Sequence, residues 1–531
     1  MPAPSWHHLA ATATLFSAFA VFCAGSAAAA PGLPSTNVAW LPAAADADIE
    51  RAFALGRAQG KPVLLYWGAS WCPPCNQLNA TLFNRQDFAA QSRAFVAVHV
   101  DGDRPGAQKL GARFKVSGYP TLILFTPDAA EITRLPGEAD APQVLALLQA
   151  GLAGGRPMAG VLADARAGKT LSANEWRMLS FHSWDTDGTG LADASDRAAV
   201  LSDLASRHTA LGAAADRDTT TRLWLKALAA SDEGKGVKPD AALAQRVQRV
   251  LADPAQARSH MDVLVNGAGE IVRVLAADDS ADRAPLVAQF DAALTRLQAD
   301  TSLSRGDRVS ALAARVDLAR LGQGKDVLQP KMALSLQNEV REISARMDRD
   351  IRDGYERLAV IPSAAYMLGQ AGLWGDSDAL LKSNLAKSHC PYYLMSGLAG
   401  NARKQGRKDE ALRWYQQAFD KSQGPATRLQ WGASYLSALV DLAPQDSRRI
   451  ETTAAKLLRE ASHDAGAFYE RSERSLQRVG KKLGSWNADG KHAAALRRLQ
   501  AQLDGVCAKV DAADGRRAVC EGLLKAKPAA T

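Results

Sequence analysis

Cys72 and Cys75 stand one turn apart in the segment YWGASWCPPCNQL, Tyr66 to Leu78. Two thiols at this spacing can be a dithiol reagent, half of a metal site or a structural staple. The flanking residues separate the three. KPVLLYWGA, just before, is a short apolar run fit for a buried strand. Pro74 suits an early helical position because proline has no N–H to lose there. Cys72 then opens a helix, over unsatisfied N–H groups and the positive end of the helix dipole, which favour its thiolate. The thiolate is the nucleophile of disulfide exchange. Cys75, one turn on, is placed to attack the Cys72 sulfur once that sulfur is joined to a substrate. A structural zinc site needs four ligands, and no second C-x-x-C or His pair is present. A staple has no need of Trp71 or of a strand-to-helix setting. The reagent pair is the reading adopted, with no metal and no cofactor expected.

The elements around the pair follow from periodicity. ADIERAFALGRAQG has helical spacing and ends at Gly60, a C-cap. After the cysteines, NQLNATLFNRQDFAAQSRA reads as helix, FVAVHVD as a second apolar strand and GAQKLGARFKV as helix. TLILFTPDAAEITRLPG reads as a strand pair turning at Pro127-Asp128, and APQVLALLQAGLAG as a closing helix. This is an α/β layer unit over residues 46–154, long enough to fold alone. Residues 31–45 read as linker.

From residue 155 to 531 alternation vanishes, and Ala, Leu, Arg and Asp dominate at helical spacing, which predicts a large all-α, possibly solenoid-like, domain. Around residues 365–425 a weak 34-residue register pairs Gly372 with Gly406, Leu381 with Tyr415 and Leu385 with Phe419. GRKDEALRWYQQAF resembles a tetratricopeptide half-repeat, and such surfaces bind peptide or protein.

The chain has 531 residues, is 47% hydrophobic and carries a net +8 charge with both signs interspersed. That supports more than one packed core and a solvated basic surface, not a nucleic-acid-binding one. Residues 1–30 hold an apolar run from Leu9 to Gly25 followed by alanines, the pattern of an export signal. The run is short for a spanning helix, so no stable membrane span is expected after cleavage, and the expected location is periplasmic.

KPVLLYWGASWCPPC, FVAVHVD, FKVSGYPTLILF and the late Gly137 together resemble the thioredoxin-like superfamily. The similarity is greatest to exported members that begin this strand with Lys-Pro-Val, including the periplasmic catalytic domains of disulfide-reductase systems. It covers about a fifth of the chain. The resemblance implies that Pro120 is cis and packs beside the cysteines, that the Tyr119 backbone pairs with a substrate strand, and that Trp71 shapes the exposed rim next to Cys72. Two departures stand out. Tyr66 occupies the position of a buried Asp that accepts the proton of the resolving cysteine, and Ala97 that of a Lys. His99 is a substitute proton carrier or, the stronger reading, an ordinary strand histidine.

Two further stretches carry candidate chemistry. In FHSWDTDGTGLADASDR, Asp185, Asp187, Thr189, Asp193 and Asp196 follow the spacing of a calcium loop. Ala192 replaces the usual aliphatic and Asp196 the bidentate Glu, so a polar helix connection is the stronger reading. Cys507 and Cys520 on one helix would lie ~20 Å apart. With a turn at Asp514-Gly515 they can staple a C-terminal hairpin. Cys390 is left over, as a buried small residue or an idle thiol and not a third redox player.

The functional expectation is an exported thiol–disulfide oxidoreductase that acts on protein thiols or disulfides, with an unidentified redox partner. The helical region would recognise the partner. The alternative is a helical binding scaffold whose thioredoxin-like unit is a docking module.

Overall fold

The computed structural model describes residues 38–188, 191–193, 195–231 and 236–525. The expected export signal and the first part of the linker lie outside the described residues, as does Thr189.

Five strands form one mixed sheet in the order β1-β3-β2-β4-β5, with β1 Leu41–Ala43, β2 Val63–Gly68, β3 Val96–Asp101, β4 Thr121–Phe125 and β5 Glu131–Leu135. β1, β3 and β2 run parallel; β4 and β5 run antiparallel to their neighbours. Every residue of β2 is buried, as an apolar run at a sheet centre requires. Its period-two alternation splits the core. Val63, Leu65 and Trp67 face α1 (Asp46–Gln59) and α4 (Ala107–Arg113), among Ile49, Phe53 and Leu110. Leu64 and Tyr66 face the other way, toward Leu82, Phe83, Phe88 and α5 (Ala141–Leu152).

α1 ends at Gly60, which is left-handed at φ +63°. The helix expected over residues 76–94 is broken. It runs as α2 (Pro73–Leu78), a π turn Asn79–Phe83, then α3 (Gln86–Gln91) after an extended Arg85. Residues 41–43, expected as linker, instead form β1. Three residues with a central proline give no readable strand signal, yet Leu41, Pro42 and Ala43 register with Val98, His99 and Val100 at the sheet edge, where proline is tolerated.

After Leu135 the described residues hold no further strand, only one bridge between Val116 and Asp187. Helices from Met158–Arg166 to Arg516–Gly522 fill this region. Helices Gly354–Gln370 and Trp374–Asn384 turn at Gly372 (φ +80°), and helices Pro391–Lys404 and Lys408–Lys421 turn at Gly406 (φ +73°). The Leu373 and Arg407 N–H groups close these turns on the Leu368 and Ala402 carbonyls, at 2.9 Å each. Ser304 caps the helix Arg305–Ala319 in a capping box with Asp307. Among the described residues no helix is long and apolar enough to cross a membrane.

The helical region packs on the α/β unit. The Leu64–Tyr66 side of the sheet shares one continuous core with helical-region residues as far as Leu318. Helix Gly354–Gln370 lies against α2, and helix Glu470–Trp486 against α4.

Candidate functional site

Cys72 is the N-cap of α2, and Pro73 and Pro74 are its first two residues. The Cys72 Sγ accepts the Cys75 N–H at 3.2 Å, so the orphan donor of a helix start points at the first sulfur. Cys72 and Cys75 are disulfide-bonded, with Cα atoms 5.2 Å apart. Asn76 donates to the Ser70 and Cys72 carbonyls at 2.8 Å each, fixing the turn that carries the pair.

Ala69, Cys72 and Cys75 form a small buried cluster with Trp71 and Tyr119 packed on it. The Tyr119–Pro120 bond is cis. Gly137 lies against this proline, and a Cβ there would come within 3.0 Å of Pro120 Cγ. Trp71 and Tyr119 are thus brought together with the cysteines, and Pro120 follows Tyr119 in the chain.

The rim beside Cys72 differs from its expected form. Cys72 is 2% exposed and Cys75 1%. Trp71 is half-buried, stacked by Tyr393 (6.0 Å, 17°) and met edge-on by Trp431 (5.1 Å). The Trp71 indole N–H donates to Asp103 Oδ2 at 2.8 Å. Asp103 Oδ1 accepts from Thr427 and Arg471. The His389 ring contacts the Ser70 carbonyl at 3.2 Å. The helical region supplies all these covering side chains, and single-sequence reading missed them together with Asp103. The covering residues are ordinary polar or aromatic side chains more than 300 positions from the motif, Asp103 lies 31 positions after Cys72, and no local signal marks any of them.

The electrostatics are set by burial. Burial pushes the Asp101 carboxyl up, with the Asp103 charge adding to the effect. It also pushes up the Tyr66 phenol and the Tyr119 phenol. His99 stacks on Tyr66 at 5.0 Å, and burial with the Arg104 charge pushes it down to about 4. It is neutral near pH 7, held in an aromatic layer with Trp40. The Cys390 thiol is buried and pushed up; it accepts from the Tyr392 hydroxyl at 3.5 Å and lies 3.6 Å from Ser70 Oγ.

The other sequence-marked residues lie elsewhere. Asp187 is buried against Arg134 (3.8 Å) and His182 (3.4 Å), and Asp185 pairs with Arg197. Asp196 precedes the helix Arg197–Ala210, with Asp193 accepting its N–H through the main chain. Cys507 and Cys520 are disulfide-bonded, Cα atoms 5.6 Å apart, across the turn at Asp514-Gly515.

A family model described as a thioredoxin-like domain matches residues 49–152. Thiol:disulfide interchange protein DsbD 2 of Pseudomonas aeruginosa is 33% identical over 134 residues, 24% of this chain and 23% of that protein. Thiol:disulfide interchange protein DsbD of Yersinia pestis is 34% identical over 99 residues, 18% of this chain and 17% of that protein. The chain therefore spans under a quarter of the length of these curated relatives. The solution structure of a thioredoxin from Thermus thermophilus aligns at 28% identity and a TM-score of 0.19, over 22% of this chain and 86% of that one. The chain carries a thioredoxin-like α/β domain with a Cys72–Cys75 pair, followed by a large helical region.

Proposed function

We propose that the protein is an exported thiol–disulfide oxidoreductase acting on protein substrates through Cys72 and Cys75. The observation that carries this reading is the pair itself: two cysteines on the first turn of α2, with the Cys75 N–H directed at Cys72 Sγ at 3.2 Å. In the reducing direction the Cys72 thiolate attacks one sulfur of a substrate disulfide. That S–S bond breaks, one substrate thiolate leaves, and a mixed disulfide remains. The Cys75 thiolate then attacks Cys72 Sγ and releases the second substrate thiol. Two electrons pass from the dithiol to the substrate, and the Cys72–Cys75 disulfide forms. The oxidising direction is the reverse. Trp71, Tyr119 and Pro120 line the site, and the helical region takes part in choosing the partner. Likeness to thiol:disulfide interchange proteins and the thioredoxin-like family match over residues 49–152 support the chemistry; the N-terminal apolar run supports export.

Cys72→Ser abolishes insulin-type disulfide reduction, and Cys75→Ser accumulates mixed disulfides with native partners. Full activity in Cys72→Ser would falsify the nucleophile assignment. One observation favours a second reading, a helical scaffold with a docking module: Cys72 is 2% exposed. On that reading Cys75→Ser traps nothing.

A further inference from the structure

One side chain of the helical region holds both walls of the dithiol site. Arg471 lays its guanidinium over the Trp71 ring at 4.9 Å and over the Tyr119 ring at 5.3 Å. It pairs with Asp103, the carboxylate that also accepts the Trp71 indole N–H. Its main-chain N–H donates to Gln108 Oε1 at 3.1 Å, and the Gln108 amide donates to the Tyr119 hydroxyl at 2.8 Å. One turn on, Arg474 donates to the Ser117 carbonyl at 2.9 Å, beside the segment that leads to Pro120. Disulfide exchange needs a third sulfur to reach Cys72, and a folded protein would have to displace this cover to bring one. A cavity of about 1210 Å³ is lined by Trp71, Pro73, Pro74 and Gln77 of the α/β unit and by Tyr366 and Tyr393 of the helical region; it reaches the residues on either side of Cys72 but not the cysteine itself. Ligand pockets run to about 1,000 Å³, so this space holds a stretch of extended chain but no folded domain.

We propose that Arg471 is a specificity-determining residue of the dithiol site: by pinning Trp71 and Tyr119 it shuts out folded partners and leaves Cys72 to narrow, extended cysteine-bearing peptide segments that lie in the cavity beside Trp71 and Pro73. This rests on the exchange reading above, but the test needs only a thiol at Cys72 and no exchange activity, so the two can fail separately. The reduced full-length protein is labelled with N-ethylmaleimide, with a maleimide on a short unstructured peptide, and with a maleimide on a small folded protein. Labelling is read by mass spectrometry on the peptide containing Cys72. The first two probes are expected to react within about threefold of each other, since collision rates depend weakly on carrier size. The folded carrier is expected to be at least about tenfold slower. Arg471→Met is expected to raise the folded-carrier rate by about tenfold, the population change that loss of a charged hydrogen bond produces, and to leave the small-probe rate nearly unchanged. Arg471→Lys, which keeps the charge without the planar stack, falls between. Tyr393→Ala, which removes only the ring over Trp71, raises the same ratio and serves if Arg471→Met does not fold. Equal peptide and folded-carrier rates in the wild type, or a folded-carrier rate unmoved in a folded Arg471→Met or in Tyr393→Ala, would overturn the assignment.

Discussion

The Asp103–Arg471 pair can be weighed by a double-mutant cycle. The two side chains are 10% and 13% exposed, so the pair is largely but not wholly desolvated. Asp103→Ala removes the partner of a nearly buried guanidinium and the acceptor of the Trp71 indole. Breaking a fully buried pair costs about 3–5 kcal/mol, and the residual exposure places this variant at the low end, about 3 kcal/mol. Arg471→Met keeps an apolar stem over Trp71 and leaves Asp103 with donors from Trp71 and Thr427. Its cost is about 2 kcal/mol, in the range of one charge-assisted hydrogen bond. Once one partner is gone, losing the other costs little. The double variant should therefore sit about 3 kcal/mol below wild type, with a coupling energy of about 1.5–2 kcal/mol. Urea midpoints at a shared m-value, read by near-ultraviolet circular dichroism, measure all four corners. A double variant equal to the sum of the singles within about 0.5 kcal/mol would refute the link between the helical region and the site rim.

Three shorter predictions follow from other parts of the chain. Burial holds His99 and His260 down to about 4, and neither ring nitrogen of His260 has a hydrogen-bond partner. The unfolded chain then binds more protons between about pH 6.5 and 4, so stability falls as pH drops through that window, by up to about 3 kcal/mol per histidine. His99→Phe should flatten this slope, and urea midpoints that keep the wild-type slope would count against it. Replacing Cys507 and Cys520 by serine opens a bond with sequence separation 13. The loss is about 3 kcal/mol by loop-closure entropy, seen as faster amide exchange across residues 493–525; unchanged exchange would remove the staple role. Because Asp187 faces Arg134 and His182, and Asp185 pairs with Arg197, millimolar calcium should leave the melting temperature unmoved, whereas an upward shift would restore the calcium-loop reading.

What could be read from the residues was what one or two turns of chain encode. The helix start at Cys72 and the C-cap at Gly60 depend on neighbours within a few positions, and the structure places both of them. β1 was not legible, because its pairing with β3 comes from the sheet edge and not from its own three residues. The break at Arg85 was not legible either, since an apolar helix pattern runs straight across it. The cover over Cys72 is further out of reach: Arg471 and Asp103 lie 368 positions apart, and nothing in either neighbourhood announces the other.

That difference in range bears on how the site is built. Tyr66 stands where the resemblance calls for a buried carboxylate, and it sits in an aromatic layer with Phe83 at 4.7 Å, His99 at 5.0 Å and Trp40 at 5.9 Å. A charge in that layer would be desolvated on the face that the sheet shares with the helical region, at a cost of several kcal/mol unless paired. The carboxylates near the cysteines are instead Asp101 and Asp103, at and just beyond the C-terminal end of β3, where Arg471 comes in from the helical region to meet Asp103. Packing the helical region onto the sheet thus favours an apolar residue at 66 and also delivers a cation to the rim. Two different contacts of the helical region do this: residues as far as Leu318 cover the Tyr66 face, and the helix Glu470–Trp486, against α4, gives the rim its ion pair. The reagent is encoded within one turn of α2, whereas its access depends on a surface that exists only once both parts of the chain are folded together.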